Sequence, residues 1–235
     1  MIITAKDYDY GILSQSLRYL IDEYYQPNRP YSKRRIKIVL QAIKPRAQER
    51  ILDIGCGVGT FAFHCAKQGA ETFGLDYSPE SIKTANKLCE QFQVSQNTSF
   101  LIASGMQLPF KNACFDKIVA ADFIEHITHD EKDILLKEMY RVLKPEGYII
   151  IFTPNAVREK IGDLYWKVRN ILFKNKIPVS NLHYGLINKS DFSKICAKNN
   201  FKLKTYYKDI TRPFLANIPL LRRSLALNLL FVLKK

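Results

Sequence analysis

The apolar positions of this chain change period along its length. From 12 to 25 and from 31 to 44 they recur at helical spacing, and the Pro27 to Pro30 segment breaks one helix from the next. A short apolar run at 50–54 reads as a buried strand. After it the pattern alternates, predicting helix 59–68, strand 70–75, helix 79–93, strands 98–102 and 115–120, helix 130–142 and strand 147–153. Such alternation predicts an α/β fold, a parallel sheet with helices on both faces. Beyond Thr153-Pro154-Asn155 the rhythm shifts. Ile161, Leu164, Tyr165, Val168, Ile171 and Leu172 fall on one side of a helix and predict a buried stripe, with Trp166 and Phe173 opposite and basic residues around them. A helix near 190–199 and apolar stretches at 201–207 and 227–233 follow. The expected organisation is therefore capping helices at 1–46, a core at 47–155, an inserted lid helix and loop at 156–189, and closing elements of the same domain at 190–235.

The densest chemistry lies in Asp53-Ile54-Gly55-Cys56-Gly57-Val58-Gly59-Thr60, where a strand runs into a turn with glycine at every second position. Such a turn lets backbone approach a nucleotide closely at the carboxyl edge of a parallel sheet. A dinucleotide fold needs glycine at position 60, which is Thr60, so another nucleotide is indicated. Asp53 could accept hydrogen bonds from an ammonium group, and its carboxylate would repel a pyrophosphate. The next strand ends at Asp76, before Tyr77-Ser78-Pro79. Ser78 and Pro79 already supply a helix cap and first turn, which leaves Asp76 for ribose hydroxyls. Cys56 is read as a small residue that fits between glycines.

With these residues, and with Leu108-Pro109-Phe110, Phe115-Asp116-Lys117-Ile118-Val119, Ile124-Glu125-His126-Ile127 and Tyr140-Arg141-Val142-Leu143-Lys144-Pro145-Glu146-Gly147 in order after them, the chain resembles the class I S-adenosylmethionine-dependent methyltransferases. The likeness runs from about residue 50 to 155 and more weakly to the C-terminus. It is nearest the branch that includes ubiquinone and menaquinone biosynthesis enzymes. The resemblance implies a Rossmann-like, seven-stranded, mostly parallel sheet with an antiparallel final strand, the stretches at 201–207 and 227–233 pairing at its edge. It implies S-adenosylmethionine as cofactor, met by Asp53, Gly55, Cys56, Gly57, Gly59, Asp76, Tyr77 and Asp122. The loop Ser104-Gly105-Met106 would hold adenine, with Ser104 where many relatives have aspartate. Asp122, Glu125 and His126 would lie where the methyl group is transferred. If that segment turns helically they share a face, able to form a general base or a metal site. Similar pairs in relatives work without metal, so His126, with Glu125 and Asp122, is the catalytic candidate and a divalent ion is not expected. His183-Tyr184-Gly185 is similar to a segment lining the acceptor pocket, which makes His183 a secondary candidate.

Five cysteines without paired spacing argue against a zinc site or disulfide framework and for a reduced, cytoplasmic setting. No signal peptide and no membrane-spanning run is read. Charge is uneven: residues 1–155 carry a net +1 and residues 156–235 a net +13. A basic final third beside a balanced cofactor half suggests an anionic partner, with peripheral contact at an anionic membrane surface ahead of nucleic acid. The Asn-Pro-Pro-aromatic and Pro-Cys motifs of base methylation are absent. The expected function is methyl transfer to a small lipophilic or anionic acceptor such as a quinone precursor. RNA modification and donor binding without turnover are the alternatives.

Overall fold

The computed structural model describes residues 5–173, 184–210 and 226–235. Seven strands form one sheet: β1 (Arg50–Ile54), β2 (Glu71–Asp76), β3 (Thr98–Ile102), β4 (Phe115–Ala121), β5 (Leu143–Pro154), β6 (Lys202–Ile210) and β7 (Ala226–Lys234). Their order is β3-β2-β1-β4-β5-β7-β6, with β7 antiparallel to both neighbours and every other pair parallel. The mostly parallel sheet and antiparallel final strand expected from the sequence are present. Chain order reverses direction between β1 and β4, which opens a crevice at their carboxyl ends.

Among the described residues eight α-helices accompany the sheet: α1 (Ala5–Leu13), α2 (Leu17–Leu20), α3 (Pro30–Ile43), α4 (Thr60–Ala66), α5 (Pro79–Gln91), α6 (His129–Val142), α7 (Ala156–Phe173) and α8 (Lys189–Lys198). Successive strand residues point to opposite faces, and both faces are covered. Ile51, Val119, Ile150 and Phe152 pack with Ile36, Val39 and Ile43 of α3, while Leu52, Ile54, Ile118 and Ile149 pack with Leu135 and Met139 of α6 and Phe192 of α8. Burial on both sides explains why β1, β4 and β5 read as continuous apolar runs.

Local chemistry sets the helix starts. Ser78 caps α5, its hydroxyl accepting from Ser81 N at 3.0 Å, with Pro79 in the first turn. Thr128 and Glu131 form a reciprocal capping box at α6. Between α2 and α3 the residues Ile21–Tyr25 form a π turn. It carries Tyr25 inward, where the phenol donates to the Val58 carbonyl at 2.6 Å and ties the N-terminal helices to the glycine turn.

The stripe predicted for 161–172 needs correction. The helix forms as α7, but Ile161 and Leu164 are 47% and 63% exposed, whereas Ala156 at its start is buried. The side chains of Tyr165, Val168, Ile171 and Leu172, the rest of the stripe, lie outside the described set. Periodicity identifies a face and says nothing of what covers it. The side chains of Trp166 and Phe173 lie outside the described set.

Candidate functional site

The crevice holds a cavity of about 650 Å³. Its floor is built from strand ends: Gly55, Cys56 and Gly57 after β1, Asp76 and Tyr77 after β2, Ser104, Gly105 and Met106 after β3, and Asp122 and Phe123 after β4. Its roof comes from the N-terminal helices, through Ile12, Glu23, Tyr24, Tyr31 and Arg35. His126, Glu131 and Tyr184 close one side.

The glycine turn is shaped as a cradle. Gly55 has φ +68° and a Cβ there would lie 2.4 Å from the Phe123 ring, so only glycine lets that ring form the wall. Gly57 has φ +52° and open space where a side chain would project. That openness lies within reach of a nucleotide and is the observation by which the residues present fit one. Gly59 does not line the cavity. It opens α4 with φ +84°, and a Cβ would press on Phe100 at 2.9 Å.

Asp76 is not left free by the Ser78 cap. Its carboxylate accepts from Gly57 N at 2.8 Å and from Ser78 N at 3.0 Å, so it braces the cradle while one edge reaches the cavity. Burial pushes its acidity down against the pull of those N–H groups. Asp53 is 2% exposed and does not line the cavity; its carboxylate accepts from Ala62 N at 3.2 Å, beneath the first turn of α4. Burial pushes its pKa up to about 7. Ser104 is exposed at the rim, its hydroxyl accepting from Met106 N at 3.2 Å.

The segment 122–126 departs from the helical face imagined for it. Asp122 stands before the turn at φ +54°, and only Ile124–His126 turns, as a single 3₁₀ turn. Asp122 and His126 reach the cavity, while Glu125 is buried behind them at 1% exposure. One Glu125 oxygen accepts from the Thr153 hydroxyl at 2.9 Å and the other has no hydrogen-bond partner among the described residues. Burial, with Asp122 nearby, raises the Glu125 pKa to about 8. Among the described residues no group of three His, Cys, Asp or Glu side chains is placed to hold a metal ion. His183 lies outside the described residues. Its neighbour Tyr184 lines the cavity and its phenol donates to the His126 carbonyl, while Gly185 N donates to the Glu125 carbonyl at 2.8 Å. A Cβ on Gly185 would lie 2.0 Å from the Ile127 carbonyl oxygen, so this strap can seat only with glycine there.

Residues 52–151 match the methyltransferase domain family. The uncharacterized protein MJ1252 of Methanocaldococcus jannaschii is 30% identical over 197 residues, covering 80% of this chain and 70% of that protein. Residues 52–151 form a methyltransferase domain. Norajmaline N-methyltransferase of Rauvolfia serpentina is 36% identical over 106 residues, which are 45% of this chain and 36% of that enzyme. Relative to such enzymes, then, the match spans about a third of the relative's length. In fold, the chain is similar to the PH0226 protein of Pyrococcus horikoshii, with a TM-score of 0.66 at 21% identity over 92% of this chain and 98% of that one.

The roof of the cavity was not read from the sequence. Arg35 pairs with Asp122 across the cavity, and its guanidinium lies 4.9 Å from the Phe61 ring. In the sequence it sits in Lys33-Arg34-Arg35, which reads as a solvated run. A signal was present: Arg35 stands three residues after Ser32 and four before Val39, both buried, so helical geometry puts it on the inner face.

Proposed function

We propose that this protein transfers the methyl group of S-adenosylmethionine to a small lipophilic acceptor seated beneath the helical roof. The observation that carries this reading is the continuity of one cavity, from the glycine cradle past Asp122 and His126 to Tyr24, Tyr31 and Tyr184. At about 650 Å³ it has room for a nucleoside donor and a second small molecule.

When bound, S-adenosylmethionine supplies a sulfonium-activated methyl group. The cradle at Gly55–Gly57 and the Asp76 carboxylate would hold its nucleoside, and Ser104 to Met106 its base. Asp122, rather than Asp53, is the carboxylate that faces the cavity, suited to the donor's ammonium, with Arg35 opposite it suited to the donor's carboxylate. His126 stands where it can take a proton from an acceptor hydroxyl or amine. The roof excludes water and aligns the acceptor, which is most of what this reaction asks of a protein. Of the two acceptor classes expected from sequence, the lining favours the lipophilic. Glu23, Asp122 and Glu131 outnumber Arg35, and three tyrosines offer apolar surface with polar tips.

Calorimetric titration with S-adenosylmethionine and S-adenosylhomocysteine tests the donor half, with micromolar binding expected. A labelled-methyl screen of phenols, quinols and amines tests the acceptor half. Absence of donor binding overturns the whole reading, and transfer only to carboxylate- or phosphate-rich acceptors overturns its lipophilic part.

A further inference from the structure

A second concavity of about 660 Å³ lies on the α3 side of the sheet, at the end opposite the cofactor cavity, and shares no residue with it. Two segments that enter strands, Lys44 to Glu49 before β1 and Asp116 with Lys117 in β4, form its inner end. Its floor is the face of β5, β7 and β6 beside α3, whose Ile38, Gln41 and Ala42 form one wall. There Tyr206 pairs with Leu230 and Lys204 with Val232 across the strands. The other face of β6 and β7 is covered, since Leu203, Tyr207, Leu229 and Phe231 pack in the core with α6 and α8.

The rim is basic in a way that internal pairing does not cancel. Six cations and three carboxylates line the groove. Two of those carboxylates are committed, Glu49 to buried Lys117 at 2.5 Å and Asp116 to Lys144 at 2.7 Å. Lys44, Arg46, Lys208 and Lys234 share the remaining space with Glu146 alone. Lys204 and Lys208 hold their ammonium groups 5.3 and 5.4 Å from the Tyr206 ring, flanking an aromatic floor. On α3, Lys33, Arg34 and Lys37 extend the positive surface with no acid in the helix.

We infer that this groove is a docking surface for anionic phospholipid at a bilayer. An aliphatic and aromatic floor ringed by lysines suits a phosphate head attached to an apolar body, with the lysine stems lying along the apolar surface and their charges at the phosphate. A nucleic acid would meet the same charges but has little use for the aliphatic part of the floor. Because the two concavities are separate, docking here leaves the cofactor cavity open to water, and lipid binding and donor binding are independent events.

The test is co-sedimentation of the full chain with vesicles of phosphatidylglycerol mixed into phosphatidylcholine, against phosphatidylcholine alone. Binding to the anionic vesicles is expected to be at least about tenfold stronger and to fade with added salt. The pair Lys208→Glu with Lys234→Glu should bring binding to the level on neutral vesicles. Lys44→Gln with Arg46→Gln should lower it by a smaller factor, and the remote pair Lys83→Glu with Lys87→Glu on α5 should leave it within about twofold. Donor binding by calorimetry, unchanged in all variants, shows that each is folded. Equal binding to both vesicle types, an equal loss from groove and remote pairs, or displacement of the protein from vesicles by single-stranded RNA at stoichiometric amounts would overturn the inference.

Discussion

A carboxylate can serve a site by touching the ligand or by shaping the backbone that does. Asp76 does the second with two hydrogen bonds and is placed to do the first. Asp76→Ala is expected to weaken donor binding at least about tenfold, since hydrogen bonds to a charged group contribute roughly 1.5–3 kcal/mol each; calorimetry on wild type and variant reads this directly. Asp53 and Glu125 behave differently. Burial holds their pKa values up, to about 7 and about 8, so both are neutral in the folded protein at mildly acidic pH, while in an unfolded chain they ionise near 4. The folded state therefore binds more protons between about pH 4 and 8, and their contribution to stability falls as pH rises through that window. Thermal midpoints should drop from about pH 5 to 8, with a shallower decline in Asp53→Asn and in Glu125→Gln; slopes equal to wild type in both would refute the assignment. The glycines and the acids that end β1 and β2 were legible in the sequence because a few adjacent residues fix their geometry. That Asp53 turns under α4, while Asp122 faces the cavity, was not, because side-chain direction at a strand end depends on what packs beneath it.

At the level of elements, what reads easily is what is local. The parallel core, the Ser78 cap and the bounds of α4, α5 and α6 follow from period and capping chemistry, whereas the single helix read at 12–25 is instead the end of α1, the short α2 and the π turn Ile21–Tyr25. The roof does not, since Tyr24, Tyr31 and Arg35 come together only when a π turn and α3 fold back over strands distant in sequence. The stripe of α7 shows the converse limit, a clear helical period whose Ile161 and Leu164 face solvent. Two substitutions probe how elements hold the site. Gly55→Ala forces a Cβ against Phe123 at a positive φ and should cost about 1–3 kcal/mol in a urea titration. Gly185→Ala should unseat the strap that carries Tyr184. The expected result is a raised KM for acceptor with donor affinity unchanged, and a matching loss of both would assign the strap to the donor side instead.

For the molecule as a whole, the sheet order places β7 between β5 and β6, so the strand that comes last in the described chain is an interior one. No described helix is long and apolar enough to cross a membrane, and the apolar content of β7 is spent on the sheet itself, where Leu229, Leu230, Phe231 and Leu233 are all buried. This order has a consequence for synthesis. A ribosome makes residues at roughly 5–20 per second, and a domain generally folds as a unit. All the other strands are made before β7, and until it is made β6 has no strand to join and the flank of β5 stands open. During that interval the nascent chain carries two raw strand edges, the state in which a chaperone has most to hold and a ribosomal pause before residue 226 does most harm.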